Sequence, residues 1–182
     1  MEFAWRMSAA IGSQYDIDYP YYGYQWQSQG RRAHCLDVDS KEVASRMKPF
    51  YYGTLPYDPL TSVDLLSYYL ENWGPFAIIV ATNDPQFYYY DGGIVTLNDL
   101  NEGDEYLYQD PRYFPHDHAV VLVGQGVTPE GLEYWIIQNS WGPRWGENGF
   151  MRVEKKDGIG IFGMNYMAQW MDVEPGYPLA DF

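Results

Sequence analysis

Helical spacing shows in two stretches of the chain, and short strand-like runs broken by glycine and proline fill most of the rest. Val63, Leu66, Tyr69, Leu70 and Trp73 fall on one helical face, with Thr61 placed as N-cap, Asp64 three residues on, and Gly74-Pro75 as the stop. Phe76 to Ala81 is a continuous apolar run that predicts a buried strand. Phe87 to Tyr90 is aromatic, and Asp91-Gly92-Gly93 turns the chain into Ile94-Val95. Strands are predicted at about 118–124, 133–139 and 149–154, separated by glycine-bearing turns of hairpin length, with a last strand near Tyr166 to Val173.

Ahead of these, Phe3, Trp5, Met7 and Ile11 end at Gly12 and suit a short helix. Pro20 keeps Tyr19 extended, residues 24–36 read as loop, Val38 to Met47 shows no decisive period, and Phe50 to Gly53 predicts a short strand. Residues 97–116 form a long acidic insertion, with Asp99, Glu102, Asp104, Glu105 and Asp110 against Arg112. It reads first as a solvated surface excursion and second as a binding element. A helix-and-loop region followed by a helix and a largely antiparallel sheet makes the chain α+β.

Composition narrows the class. At 182 residues the chain is one domain or two small lobes, and 46% hydrophobic with 19% aromatic residues marks an ordered fold. A net charge of −14 with no basic stripe excludes a nucleic-acid partner. No run approaches the ~18 apolar residues of a membrane span. The first residues lack the basic-then-apolar pattern of a signal peptide, so the chain is expected to be cytosolic or a piece of something longer. The single cysteine, Cys35, has no partner for an internal disulfide, which favours a reducing compartment or a partner cysteine outside the chain.

The chemistry lies among few residues. The histidines are His34, His116 and His118. His116 and His118 with Asp110 and Asp117 match no structural zinc spacing, so neither a metal nor a cofactor is expected. His118 opens one apolar strand and Asn139 closes the next, and two tryptophan-glycine pairs, Trp141-Gly142 and Trp145-Gly146, bracket the turn beyond. An imidazole that must stay in one tautomer needs a fixed hydrogen-bond partner, and an asparagine carbonyl can supply it.

Asp117-His118-Ala119-Val120, then Gln138-Asn139-Ser140-Trp141-Gly142 and Trp145-Gly146-Glu147-Asn148-Gly149-Phe150, resemble the histidine and asparagine segments of papain-like cysteine peptidases. Tyr19-Pro20-Tyr21 with Cys35, Gly74-Pro75-Phe76 and Gly92-Gly93-Ile94 fall in the same family's order, so the resemblance runs from about residue 3 to about 173. The acidic insertion is a faint echo of the dipeptidyl-peptidase-I type. The resemblance implies a remnant of the helical lobe over 1–36, the β-barrel lobe over 37–174, and a tail over 175–182. It implies His118 as acid and base, Asn139 as orienter, Trp141 as cover of their hydrogen bond, and Asp117 as a site-wall residue. Trp145, Gly146 and Glu147 are expected to build the turn.

The family's nucleophilic cysteine and its oxyanion glutamine belong to segments earlier than those matched, so this chain is expected to lack the first third of the fold and to hold no nucleophile. Cys35 resembles a disulfide cysteine whose partner would lie in that missing part. Phe162 in Gly160-Ile161-Phe162-Gly163 stands where relatives often carry a cysteine, which implies that another family disulfide is absent. Two readings follow: the C-terminal portion of a peptidase completed by a companion polypeptide and acting on peptides or proteins, or an inactive papain-fold subunit of a larger assembly. Apolar Phe3, Trp5 and Met7 at a lobe remnant call for such a companion. By resemblance the compartment would be lysosomal, vacuolar or extracellular.

Overall fold

The apolar runs become strands because their side chains alternate between a sealed face and a half-covered one. In a computed structural model that describes residues 49–54, 62–100 and 116–173, β1 spans Pro49–Thr54, β2 Phe76–Val80, β3 Ile94–Val95, β4 His118–Val127, β5 Glu133–Gln138, β6 Phe150–Glu154 and β7 Ala168–Val173. The predicted 3–12 helix, the Tyr19-Pro20 turn, Cys35, the Thr61 cap, most of the acidic insertion and the tail lie outside the described residues.

The strands are ordered β1-β7-β2-β4-β5-β6-β3. Ile78, Val80, Leu122, Trp135, Ile137, Met151 and Val153 are fully buried on one face. Each such side chain contributes about 1.5–3 kcal/mol by leaving water. The chain divides into two compact units, Gly53–Trp170 and Met1–Tyr52 with Met171–Phe182. Of the latter, 49–52 and 171–173 are described, all in strand. The Gly53–Trp170 unit holds everything that follows.

Two features depart from the expected sheet. It is mixed, because β3 runs parallel to β6 with Ile94 opposite Arg152 and Val95 opposite Val153. And β4 continues past residue 124 to Val127, pairing Gly124 with Ile136 and Gly126 with Tyr134 after a register shift between Leu122 and Gly124. Gly126 is in the strand for clearance: a Cβ there would sit 2.5 Å from the Tyr134 ring, so a glycine that reads as a turn marks a close approach.

Helix α1 covers Ser62–Trp73 and lays Leu66 and Leu70 on the core, with Val63 and Tyr69 partly buried beside them. Trp73, expected on that face, is half exposed at the last turn. Gly74 stops the helix at φ 82, its N–H donating to the Leu70 carbonyl at 3.1 Å. Lys155 ties α1 to the sheet: its ammonium donates to Ser67 Oγ at 3.1 Å and Gln125 Oε1 at 2.6 Å, and lies 4.4 Å from the Trp135 ring centroid.

The aromatic run after β2 is not extended. Pro85–Tyr88 makes one helical turn, α2, because Asp84 caps it through Gln86 N–H at 2.7 Å and Pro85 fits the first helical position. The acidic insertion likewise begins structured: Leu97–Asp99 is a 3-10 turn closed by reciprocal Thr96–Asp99 bonds, and Glu154 accepts from Leu97 N–H at 3.1 Å.

Candidate active site

His118 is the first residue of β4 and pairs with Val80 at the end of β2. That junction is stapled by Asp117, whose N–H donates to Val80 O at 3.1 Å and whose Oδ1 accepts from Thr82 N–H at 2.9 Å. The Thr82 hydroxyl adds a second bond to the same carboxylate at 3.2 Å. The carboxylate of Asp117 is thus turned to the backbone, where it fixes the Cα position from which the imidazole projects.

Asn139 follows β5 directly. Val121 pairs with Gln138, so continuing the antiparallel register sets Asn139 across from Val120, on the face His118 shares with it. Diagonal neighbours on one face are within reach of two long polar side chains, and His118 Nε2 lies 2.8 Å from Asn139 Oδ1. The backbone of Asn139 is anchored by its N–H to Gly149 O at 2.9 Å.

The direction of the His–Asn bond follows from the rest of the amide. Oδ1 also accepts the Ser140 N–H at 2.8 Å, so this atom must be the oxygen. An acceptor there makes Nε2 the donor, which leaves the Nδ1 lone pair of the neutral ring available for a proton. Asn139 is 8% exposed, and its Nδ2 is buried without a hydrogen-bond acceptor among the described residues, a cost of about 1–3 kcal/mol. Flipping the amide would face Nδ2 with two donors, so the observed orientation is the better of the two.

An aromatic cage surrounds the imidazole. The Trp141 ring is 5.0 Å from it at 35°, and Trp141 is 39% exposed, so it covers one side and meets solvent with its own outer face. Phe87 closes the inner side, fully buried, 6.2 Å from the imidazole and nearly perpendicular to it. Phe87 also meets Trp141 at 5.6 Å and Trp145 at 5.4 Å, and its carbonyl accepts the Trp145 indole N–H at 3.3 Å. The sequence reading did not single out Phe87; the signal was Asp84-Pro85, an N-cap and first-turn pair that makes the aromatic run helical. His116, two residues before His118, lies instead against Tyr166 with ring centroids 5.2 Å apart. His34 and Cys35 lie outside the described residues.

The turn carrying Trp141 and Trp145 is closed from below. Gly146 N–H donates to Tyr90 O at 3.2 Å, and Gly149 N–H to Trp145 O at 2.8 Å. Glu147 receives Arg152 Nε at 2.9 Å and Nη2 at 2.5 Å, and also the Gly93 N–H at 3.2 Å. The Arg152 hydrogen bonds hold the Glu147 carboxyl below its ordinary range, helped by Gly93 and opposed by burial. Burial pushes the neighbouring Tyr90 phenol up. Glu147 therefore builds the turn, as its place in the sequence suggested.

An imidazole fixed through Nε2 by an asparagine, under a tryptophan at the rim of a β-sheet, leaves its second ring nitrogen able to take up and return a proton. The family model of papain family cysteine proteases matches residues 1–169, and the chain belongs to that family. It is 35% identical over 111 residues to the senescence-specific cysteine protease SAG39 of Oryza sativa subsp. indica, covering 58% of this chain and 26% of that protein. It is 55% identical over 56 residues to a cysteine proteinase of Theileria annulata, covering 27% of this chain and 13% of that protein. The match thus spans about a quarter or less of these curated relatives' length.

Among solved structures the chain resembles the bromelain protease from Ananas comosus in complex with the E64 inhibitor, with a TM-score of 0.70 at 22% identity, covering 94% of this chain and 68% of that one. That likeness shows the papain-like fold. Procathepsin L 3 of the Tenebrio molitor larval midgut is similar at 26% identity and a TM-score of 0.64, over 93% of this chain and 47% of that one. Among the described residues no helix is long and apolar enough to cross a membrane.

Proposed function

We propose that this chain supplies the acid–base half of a papain-type peptidase site that hydrolyses peptide bonds in protein substrates, with nucleophilic cysteine and oxyanion glutamine contributed by a segment outside its 182 residues. In this reading residues 1–36 are a remnant of the helical lobe and 37–174 are the barrel lobe. The observation that carries the reading is the His118 Nε2–Asn139 Oδ1 bond at 2.8 Å, with Oδ1 identified as the oxygen by Ser140 N–H.

The chemistry follows from the free Nδ1 lone pair. Nδ1 takes the proton of a cysteine thiol, and the thiolate sulfur attacks the scissile carbonyl carbon. As the C–N bond breaks, the imidazolium returns that proton to the leaving amine, and a thioester remains. Nδ1 then takes a proton from water as its oxygen attacks the thioester, and returns it to the departing sulfur. Throughout, Nε2–H stays on Asn139, and the bond strengthens whenever the ring is charged. Trp141 keeps water from competing for it, and Asp117 holds the strand end from which His118 projects.

The test is to isolate the native material, measure its mass beyond the 182-residue chain, and treat it with an epoxide probe that alkylates active-site thiolates. Labelling of a cysteine in a companion segment is the expected result. Labelling of Cys35 would move the nucleophile into this chain and refute the split site. No labelling, with the chain intact in a larger assembly, would overturn the peptidase reading in favour of an inactive structural subunit.

A further inference from the structure

Two non-glycine residues among the described ones have positive φ, Asn148 and Phe162, both at φ 56. Asn148 is exposed in a turn and of a type that tolerates left-handed backbone. Phe162 is neither: it is 1% exposed, and a bulky residue there is strained. Gly163 beside it has φ 71 and Gly160, two residues before, has φ 72, so the positive-φ positions flanking it are filled by glycine. Something at position 162 needs a side chain enough to outweigh the strain.

The backbone contact does not explain it. The Phe162 carbonyl accepts Ala81 N–H at 3.0 Å, a bond that any residue could make. The ring contact does. Phe162 meets Phe87 edge to face, centroids 5.2 Å apart at 86°, and Phe87 in turn stands 6.2 Å from the His118 imidazole at 78°. Phe87 rides on a single helical turn, too short to hold its own geometry without packing from behind.

We propose that Phe162 is a positioning residue for the acid–base site: its ring braces Phe87, and Phe87 is the wall that sets the tilt of the His118 imidazole against Asn139. The backbone strain at Phe162 is the counterpart of that brace. The inference rests on the reading of His118 as acid and base, but its test uses the resting ring.

The measurement is NMR on the native protein, the 182-residue chain together with any companion segment, following exchange of the His118 Nε2–H proton with water. Phe162→Leu keeps apolar bulk and loses the flat edge, and exchange should be about two- to tenfold faster, the factor for one lost edge-to-face pair. Phe162→Tyr should restore the natural rate. Phe162→Gly relieves the backbone and still removes the brace, so it should also speed exchange, and it carries the test should the leucine variant not fold. Val153→Ala, a core truncation away from the cage, should lower stability without changing the exchange.

Natural exchange in both Phe162→Leu and Phe162→Gly, or equal acceleration by Val153→Ala at matched stability, would overturn the bracing role. Neither outcome touches the acid–base reading, which falls separately if His118→Ala leaves peptidase activity of the assembled protein intact.

Discussion

Gly146 offers a sharp probe of how tightly the turn beneath the site is built, because the structure separates two costs of adding a methyl group. At φ 55 an alanine would bear the left-handed penalty of about 1–2 kcal/mol. Its Cβ would also stand 2.5 Å from the Phe150 carbonyl oxygen and 2.8 Å from Tyr90 Cδ1. Backbone cannot rotate aside as a flexible side-chain end can, so an overpacking cost of about 1–3 kcal/mol is added. Gly146→Ala should therefore destabilise by about 2–5 kcal/mol, lowering Tm by about 4–20 °C. Gly142 lies in the same turn at φ 89 with nothing within 4 Å of its Cβ position. Gly142→Ala should thus show the dihedral cost alone, about 1–2 kcal/mol. Parallel urea and thermal melts of the two variants give the comparison. A Gly146→Ala loss no larger than that of Gly142→Ala would refute the close packing of this turn on Tyr90 and Phe150.

Three further outcomes are expected. Under the proposed function, Asn139→Ala removes the acceptor of a bond made to a charged ring, about 1.5–3 kcal/mol, so kcat/KM of the assembled protein should fall about 10- to 150-fold. A value unchanged in a standard peptide assay would contradict the orienting role. Glu147 is held below its ordinary value near 4.5, first by Arg152, so its contribution is present above that value and is lost as pH falls through the lowered one. Glu147→Gln should accordingly lower Tm at neutral pH, with the gap to the natural protein narrowing on the acid side below about 4.5. A gap independent of pH would show that the carboxylate charge does not contribute. Trp145→Phe deletes the indole donor to Phe87 O while keeping an aromatic ring, and should cost about 1 kcal/mol in denaturant melts.

The pair at the centre of the site was legible because its signals are local. A histidine opening one apolar run and an asparagine ending the next place themselves at neighbouring strand ends, and a hairpin brings those ends together. The helix over Ser62–Trp73 was legible for a similar reason, since its stop needs only Gly74-Pro75. What could not be read depends on contacts far apart in sequence. Gly126 looks like a turn until Tyr134 is seen across from it. The parallel β3–β6 pairing joins residues whose only relation is register. Trp73 matches the apolar period of α1, yet it stands half exposed at the end of the helix. Phe87 and Phe162, separated by most of the sheet, meet only in the fold.

These misses share a physical cause that bears on the chemistry. The His–Asn bond is made by two residues, but its precision comes from what cannot move around them. Asp117 clamps the strand start through Thr82, and Gly149 clamps the backbone of Asn139. The cage of Phe87, Trp141 and Trp145 leaves the imidazole little room to swing. With Nε2 committed to Oδ1, the ring keeps one nitrogen free, and the fixed strand ends determine where that nitrogen points. A neutral asparagine fixes the imidazole while adding no charge of its own. The histidine and asparagine make the bond, and the residues packed around them, some in the same segments and some, like Phe87, far from them in sequence, hold its direction. Substitutions at Phe162 or Gly146, neither of which bonds the imidazole, should therefore reach the site through packing, the first as faster imidazole proton exchange and the second as lost stability.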